Sequence, residues 1–214
     1  MPIFREEVTQ NYARSRRLKR ASNQSAREVR GRVVRSFGQT NYPVVHTMFS
    51  AIDACNFGRL SEAIDIFAAH YPNRKIFVLD WGCGKGNAVR QLAEENPRTE
   101  VFGFSKDAYP EQLTPSKGTI LATSSNAFYR YLRLKKIKFD VVYSNLGLAY
   151  VEPATEIIKV SQFVQVGGLI FPGFYGVKEN NEYGHDKDFF PRLKSAGLEP
   201  TFLHGQLISL TRTK

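Results

Sequence analysis

The spacing of apolar positions changes once along the chain. From 44 to 70, in VVHTMFSAIDACNFGRLSEAIDIFAAH, apolar residues recur three and four apart with a break near Gly58, a spacing that gathers them on one helix face. Two helices are predicted there, the second capped by Ser61, and YPN at 71–73 ends the helical part. Beyond it, short apolar runs alternate with amphipathic stretches. KIFVLD (75–80), TEVFGFS (99–105), GTILATS (118–124), FDVVYSNLGL (139–148) and GGLIFPGF (167–174) read as strands, the first being an unbroken apolar run of the type buried in a parallel sheet. NAVRQLAEEN (87–96), NAFYRYLRLKKI (126–137) and PATEIIKVSQFV (153–164) read as helices, the last with Pro153 near its first turn. The finish differs: DKDFFPRLKSAG reads as a helix, and LEPTFLHGQLISLTR as two strands meeting around HGQ.

This alternation implies an α/β fold, an open sheet with helices on both faces, hence a three-layer αβα sandwich. The 214 residues, 42% of them hydrophobic, suffice for one well-buried domain plus an appendage. The chain divides into a basic N-terminal extension at 1–43, a helical lid or cap at 44–71 and the α/β domain at 72–214.

Charge and cysteine content refine this picture. Of the net charge of +10, most sits in residues 1–40, where ten Lys and Arg face three Glu. Such an arm reads either as an electrostatic footprint for nucleic acid or another polyanion, or as a solvated helical extension; its Arg and Ser content also admits a transit segment, against which the three glutamates count. No stretch approaches the roughly 20 apolar residues that span a bilayer, and no apolar signal core opens the chain. Cys55 and Cys83 make neither a disulfide framework nor a four-ligand metal site. A soluble, cytoplasmic protein with reduced thiols and no metal is expected.

The stretch VLDWGCGKGNAV (78–89) holds Gly82, Gly84 and Gly86 at the turn from the first strand into the next helix. Glycines there accept positive φ and let a ligand approach the backbone, and the carboxyl edge of such a sheet is where ligands bind. The spacing is neither the dinucleotide form nor a Walker loop. With Asp80 two residues before the first glycine, it resembles the first motif of the class I S-adenosylmethionine-dependent methyltransferases. The resemblance covers about 72–214: FDVVYSNLGLAYVEP is similar to the family's fourth strand and following loop, FVQVGGLIFPG to its approach to the fifth strand, and SAGLEP with ISLTR to its closing antiparallel hairpin. It implies a Rossmann-like, seven-stranded, mostly parallel sheet with an antiparallel last strand, and S-adenosyl-L-methionine as cofactor.

The resemblance also implies roles. Asp80 would meet the methionine ammonium, Gly82 and Gly84 would lie against methionine and ribose, and Gly86 would allow close helix packing. Trp81 and Cys83 share the loop, Cys83 as a packing residue, while Asn145 and Leu146 would line the site between cofactor and substrate. Where the family usually has an acid after the second strand this chain has Ser105, with Asp107 two residues on. After the third strand it has Ser124, Ser125 and Asn126, with Asn126 to accept from the adenine amino group and Phe104 or Phe128 to stack on the ring. Candidate bases or positioners for the acceptor are Tyr143, Asn145, Tyr150, Tyr175, Tyr183 and His185, with Tyr42 and His46 placed to act in a lid. Residues 128–138 interleave aromatic and basic side chains, a pattern that suits single-stranded RNA and equally an amphipathic helix with its rings turned inward. The expected activity is methyl transfer to RNA or to a small molecule; the alternative is a methyltransferase-like module without catalysis that binds RNA or a protein through its basic arm.

Overall fold

The computed structural model describes residues 48–214 apart from Pro115, Leu146, Val151, 174–187 and 204–205. The extension at 1–43, and Tyr42, His46, Leu146, Tyr175, Tyr183 and His185 among the predicted residues, therefore lie outside the described residues.

Seven strands form one sheet: β1 (Ile76–Trp81), β2 (Thr99–Ser105), β3 (Thr119–Ala122), β4 (Phe139–Tyr143), β5 (Val164–Phe171), β6 (Leu198–Leu203) and β7 (Gln206–Arg212), in the spatial order β3-β2-β1-β4-β5-β7-β6. The first five are parallel, and β7 enters antiparallel between β5 and β6. The strand order turns back at β1, flanked by β2 and β4, so a crevice forms at the carboxyl edge there.

Alternation along the strands splits the core into two layers. On one face Ile76, Val78, Val101, Val141 and Tyr143 pack with α1 (Phe49–Cys55), α2 (Arg59–His70) and α3 (Asn87–Glu95). On the other, Leu79, Trp81, Phe102, Phe104 and Val142 pack with α4 (Ser125–Lys135), α5 (Pro153–Ser161) and α6 (Phe189–Ser195). The three-layer sandwich predicted from the alternation is the fold observed.

Three local expectations are corrected. Ser61 does not cap α2: Gly58, at φ 72°, holds the cap position, and the Ser61 amide and hydroxyl instead donate to the Asp53 carboxylate of α1, at 2.9 and 2.5 Å. The fourth strand stops at Tyr143 rather than running to 148, because the Ser144 hydroxyl accepts from the Leu148 amide and starts a 3-10 turn at Gly147–Tyr150. The fifth strand begins at Val164 rather than at Gly167, so the Gly-Gly pair lies inside it instead of opening it. Its register on β4 jumps from Phe139↔Val164 to Val141↔Leu169, and a Cβ on Gly168 would stand 2.9 Å from the Asp140 carbonyl oxygen. The pair makes the irregularity sterically feasible.

Candidate functional site

The glycine stretch leaves β1 at the carboxyl edge and turns into α3. Gly82 and Cys83 both donate their amides to the Phe104 carbonyl, at 2.8 and 2.9 Å, which folds the loop back over β2, and Gly86 donates to the Cys83 carbonyl to close the turn. All three glycines have positive φ, 90°, 52° and 78°, a region that L side chains enter at a cost.

The neighbours of two of them are protein, not open space. A Cβ on Gly82 would lie 2.9 Å from Cα of Gly147, and one on Gly147 would lie 2.7 Å from the Trp81 carbonyl oxygen. These two glycines let the turns after β1 and β4 touch backbone to backbone, a contact the sequence spacing does not reveal. A Cβ on Gly86 would stand 2.2 Å from Cδ1 of Ile120, so this glycine admits close packing of β3 against the head of α3. Gly84 is held through its carbonyl, which accepts from the Gln112 side chain at 2.5 Å.

That glutamine belongs to a 3-10 turn, Pro110–Leu113, laid beside the loop. Lys85 pairs with Glu111 at 2.5 Å and Arg90 of α3 donates to the Glu111 carbonyl. Tyr109 is half-buried here, its phenol pushed up to about 12, first by burial and then by the Asp107 carboxylate. Ser105 is not available to take ribose hydroxyls: it donates to the Asp107 carbonyl at 2.7 Å and accepts from the Asp107 amide. This local turn leaves Asp107, exposed just past β2, as the acid at the strand end.

Beneath the turn the two faces of β1 diverge. Asp80 is 2% exposed and pairs in register with Tyr143 of β4, which is wholly buried under Phe49 of α1. Burial raises the Asp80 carboxyl to about 7, and the nearby Tyr143 hydroxyl partly offsets this. That hydroxyl meets no partner at hydrogen-bond geometry. Burial, with the Asp80 charge adding, also pushes the Tyr143 phenol and the Cys83 thiol well up; Cys83 is a protonated packing residue against Gly103, not a nucleophile. Trp81 points the other way into the core, donating its indole N–H to the Tyr129 hydroxyl at 3.2 Å, and Tyr129 donates to Glu156 at 2.8 Å.

Trp81 is thus a core residue rather than a loop-lining one. Phe104 and Phe128 are both fully buried and stacked on each other at 4.5 Å, so neither ring offers a face to an adenine; the half-buried ring beside the glycine turn is that of Tyr109, which the sequence reading missed. Ser125 and Asn126 stand in the first turn of α4 behind its cap Ser124, with Asn126 exposed. Asn145 is nearly buried after β4, next to Gly147. In 128–138 the rings turn inward, Phe128 and Tyr129 being core, while Arg130, Arg133, Lys135, Lys136 and Lys138 face outward. This is the amphipathic helix, without a stacking platform. No group of metal-ligating side chains gathers among the described residues.

No family model and no curated protein matches the sequence. Solved structures are similar to it. One is the MycE methyltransferase from the mycinamycin biosynthetic pathway in complex with Mg and SAH, at 15% identity and TM-score 0.48, covering 78% of this chain and 49% of that one. Others are the magnesium protoporphyrin IX methyltransferase ChlM from Synechocystis PCC 6803 with bound SAM (15% identity, TM-score 0.46, 86% and 90% covered) and a TehB-like SAM-dependent methyltransferase from Corynebacterium glutamicum (18% identity, TM-score 0.46, 90% and 100% covered). The chain spans about half the length of the MycE chain. The sheet itself decides the fold: five parallel strands turning back at β1, a glycine turn at that point, and β7 antiparallel between β5 and β6. The chain has a Rossmann-like αβα sandwich fold with β7 antiparallel in its sheet. In this sheet the acid Asp80, the glycine turn and Asp107 stand at the switch-point edge, and no helix of the described residues is long and apolar enough to cross a membrane.

Proposed function

We propose that the chain is an S-adenosylmethionine-dependent methyltransferase. The observation that carries this reading is the buried pair of Asp80 and Tyr143 under the glycine turn. A carboxyl with no cationic partner among the described residues, beside a Tyr143 hydroxyl that reaches no hydrogen-bond geometry there, both buried, is costly to keep, and an ammonium group at that place would satisfy both. Asp80 with Tyr143 would hold the methionine ammonium, Gly84 and the head of α3 would lie along the methionine, Asp107 would take the ribose hydroxyls, and Tyr109 with Ser125 and Asn126 would border the adenine. When bound, the cofactor would supply an electrophilic sulfonium methyl for an acceptor lone pair. The chain's part is to align and to exclude water, and Asn145, at the edge between the β1 and β4 turns, is the described residue best placed to orient an acceptor. The two free cysteines agree with a reducing, cytoplasmic setting.

Calorimetric titration with S-adenosylmethionine and with S-adenosylhomocysteine tests this. Binding is expected at micromolar strength, lost by tenfold or more in Asp80→Ala, and weaker by about threefold in Asp107→Ala. Affinity should rise as pH climbs through about 7 and Asp80 ionises, then fall as the ligand's own α-amino group loses its proton near pH ~8. A wild-type protein that ignores millimolar cofactor across this range has a different function.

A further inference from the structure

A groove of about 590 Å³ runs along the α2 side of the sheet, over the strands that lie beyond Tyr143, namely β5, β7 and β6. That volume is in the range of small-molecule pockets. Its walls are apolar: Ala63 and Phe67 from α2, Leu169 and Phe171 from β5, Leu203 from β6 and Ile208 from β7. Polar atoms are confined to a few places. Thr201 and Ser209 add hydroxyls, and Arg59, the cation lining the groove, is already paired with Glu62 at 2.5 Å. Gly167 leaves space as well, since a Cβ there would meet nothing within 4 Å.

The groove neighbours the candidate cofactor site in the sheet register. Phe171, which lines it, pairs with Tyr143, and Tyr143 pairs with Asp80. Partners in register share a face, and strands lie about 4.8 Å apart, so Phe171 stands roughly 10 Å from Asp80 at the same carboxyl edge.

We propose that this groove holds the apolar body of a small, uncharged methyl acceptor. The inference rests on the methyltransferase reading of the neighbouring site. A polyanionic acceptor such as RNA needs unpaired cations along its path, and among the described residues the cation lining the groove, Arg59, is paired with Glu62, while the outward basic residues of α4 belong to the opposite layer. A protein surface would dock on a broad, flatter patch with a polar rim; a walled concavity of this volume fits an organic molecule with one or two polar groups, met by Thr201 and Ser209.

The full chain is titrated with N-phenyl-1-naphthylamine, a neutral apolar fluorophore, and S-adenosylhomocysteine binding is measured beside it. Thr201→Trp fills the groove from an exposed strand position, and Ile66→Glu puts a charge at its margin from an exposed helix position. The wild type should bind the fluorophore at one equivalent, both variants about tenfold or more weakly, and all three should bind S-adenosylhomocysteine alike. With methyl-labelled cofactor and a panel of neutral phenols and aryl amines, label should enter solvent-extractable product, and the fluorophore should compete. Equal fluorophore affinity in wild type and both variants, or none in the wild type, overturns the groove as a site. Label entering RNA without competition by the fluorophore overturns the acceptor class. If the variants lose the fluorophore while the wild type ignores S-adenosylhomocysteine, the methyltransferase reading is what fails, and the acceptor assignment goes with it.

Discussion

Asp80 and Trp81 are adjacent in β1 and point to opposite faces of the sheet, and their surroundings differ in kind. On the Trp81 side every polar group among the buried aromatics is used: the indole N–H reaches Tyr129, Tyr129 reaches Glu156, and Lys159 stands 3.4 Å from Glu156. On the Asp80 side a carboxyl with no cation beside it among the described residues faces a Tyr143 hydroxyl that lies near it without reaching hydrogen-bond geometry. Polar groups in a core are ordinarily satisfied because leaving them unpaired costs on the order of 1–3 kcal/mol each. A satisfied chain is what a structural layer requires, and under the proposed methyltransferase reading the pair beside the glycine turn is where a ligand would complete the chemistry.

The largest expected effect lies where both layers meet. Gly147→Val drives side-chain atoms into the Trp81 carbonyl and the Cα of Gly82, backbone on both sides, with no flexible group to give way. Loss of more than about 4 kcal/mol of stability is expected, read as a collapse of the denaturation midpoint. Gly58→Ala is the control: it also has positive φ but nothing within 4 Å, so about 1 kcal/mol covers it. Equal costs at the two positions would refute the backbone contact.

Next comes the charge on the unsatisfied side. Asp80 has its carboxyl raised from the ordinary 3.8 to about 7, so between these values the folded chain binds a proton that the unfolded chain has released, and stability falls as pH rises. At about 1.4 kcal/mol per unit the loss is on the order of 4 kcal/mol by pH 8. Asp80→Asn should remove this slope, being as stable as wild type near pH 4 and more stable at pH 8, while losing cofactor affinity. Denaturant titrations of both proteins at four pH values measure it; parallel curves would show that the carboxyl is not held neutral.

Much of this layered arrangement is legible in the sequence, and what is not has a common cause. β2 runs over Thr99–Ser105 as its alternating pattern predicts, and β1 is displaced by one residue. Failures come where a distant segment decides. The apolar residues after Tyr143 look like more strand, yet the chain bends there so that Gly147 can reach Gly82. The Gly-Gly pair looks like the head of the fifth strand, yet the strand starts at Val164 and takes the pair up as a register irregularity against β4. In the site, Asp80 is visible from its spacing to the glycines, whereas Ser105 gives way to Asp107 because a serine hydroxyl bonds its own chain two residues on, which no periodicity encodes. Tyr109 and Gln112 come from an irregular turn without any pattern at all.

The comparison sharpens further with two tyrosine-to-phenylalanine changes. Tyr129→Phe removes the link between Trp81 and Glu156, leaving two buried groups unpaired. A loss of about 1–3 kcal/mol is expected, with S-adenosylhomocysteine affinity within about twofold, since the ring keeps its packing on Phe128 and Phe163.

Tyr143→Phe should have the smallest effect on stability and the opposite profile. Its hydroxyl is buried and unpartnered, so deleting it removes a desolvated group without orphaning another, and the edge-on contact with Phe49 at 5.7 Å remains. The change should be neutral or stabilising by up to about 1 kcal/mol. Cofactor affinity should nevertheless fall by about three- to tenfold, because the hydroxyl is one of the two groups that would meet the ammonium. Its loss also leaves Asp80 harder to ionise, since that hydroxyl is what lowers the carboxyl; the pH at which binding sets in should move upward. Calorimetry at pH 6, 7 and 8 separates the two layers: a Tyr143→Phe protein that loses stability as Tyr129→Phe does, and binds as wild type does, would make both faces of β1 structural.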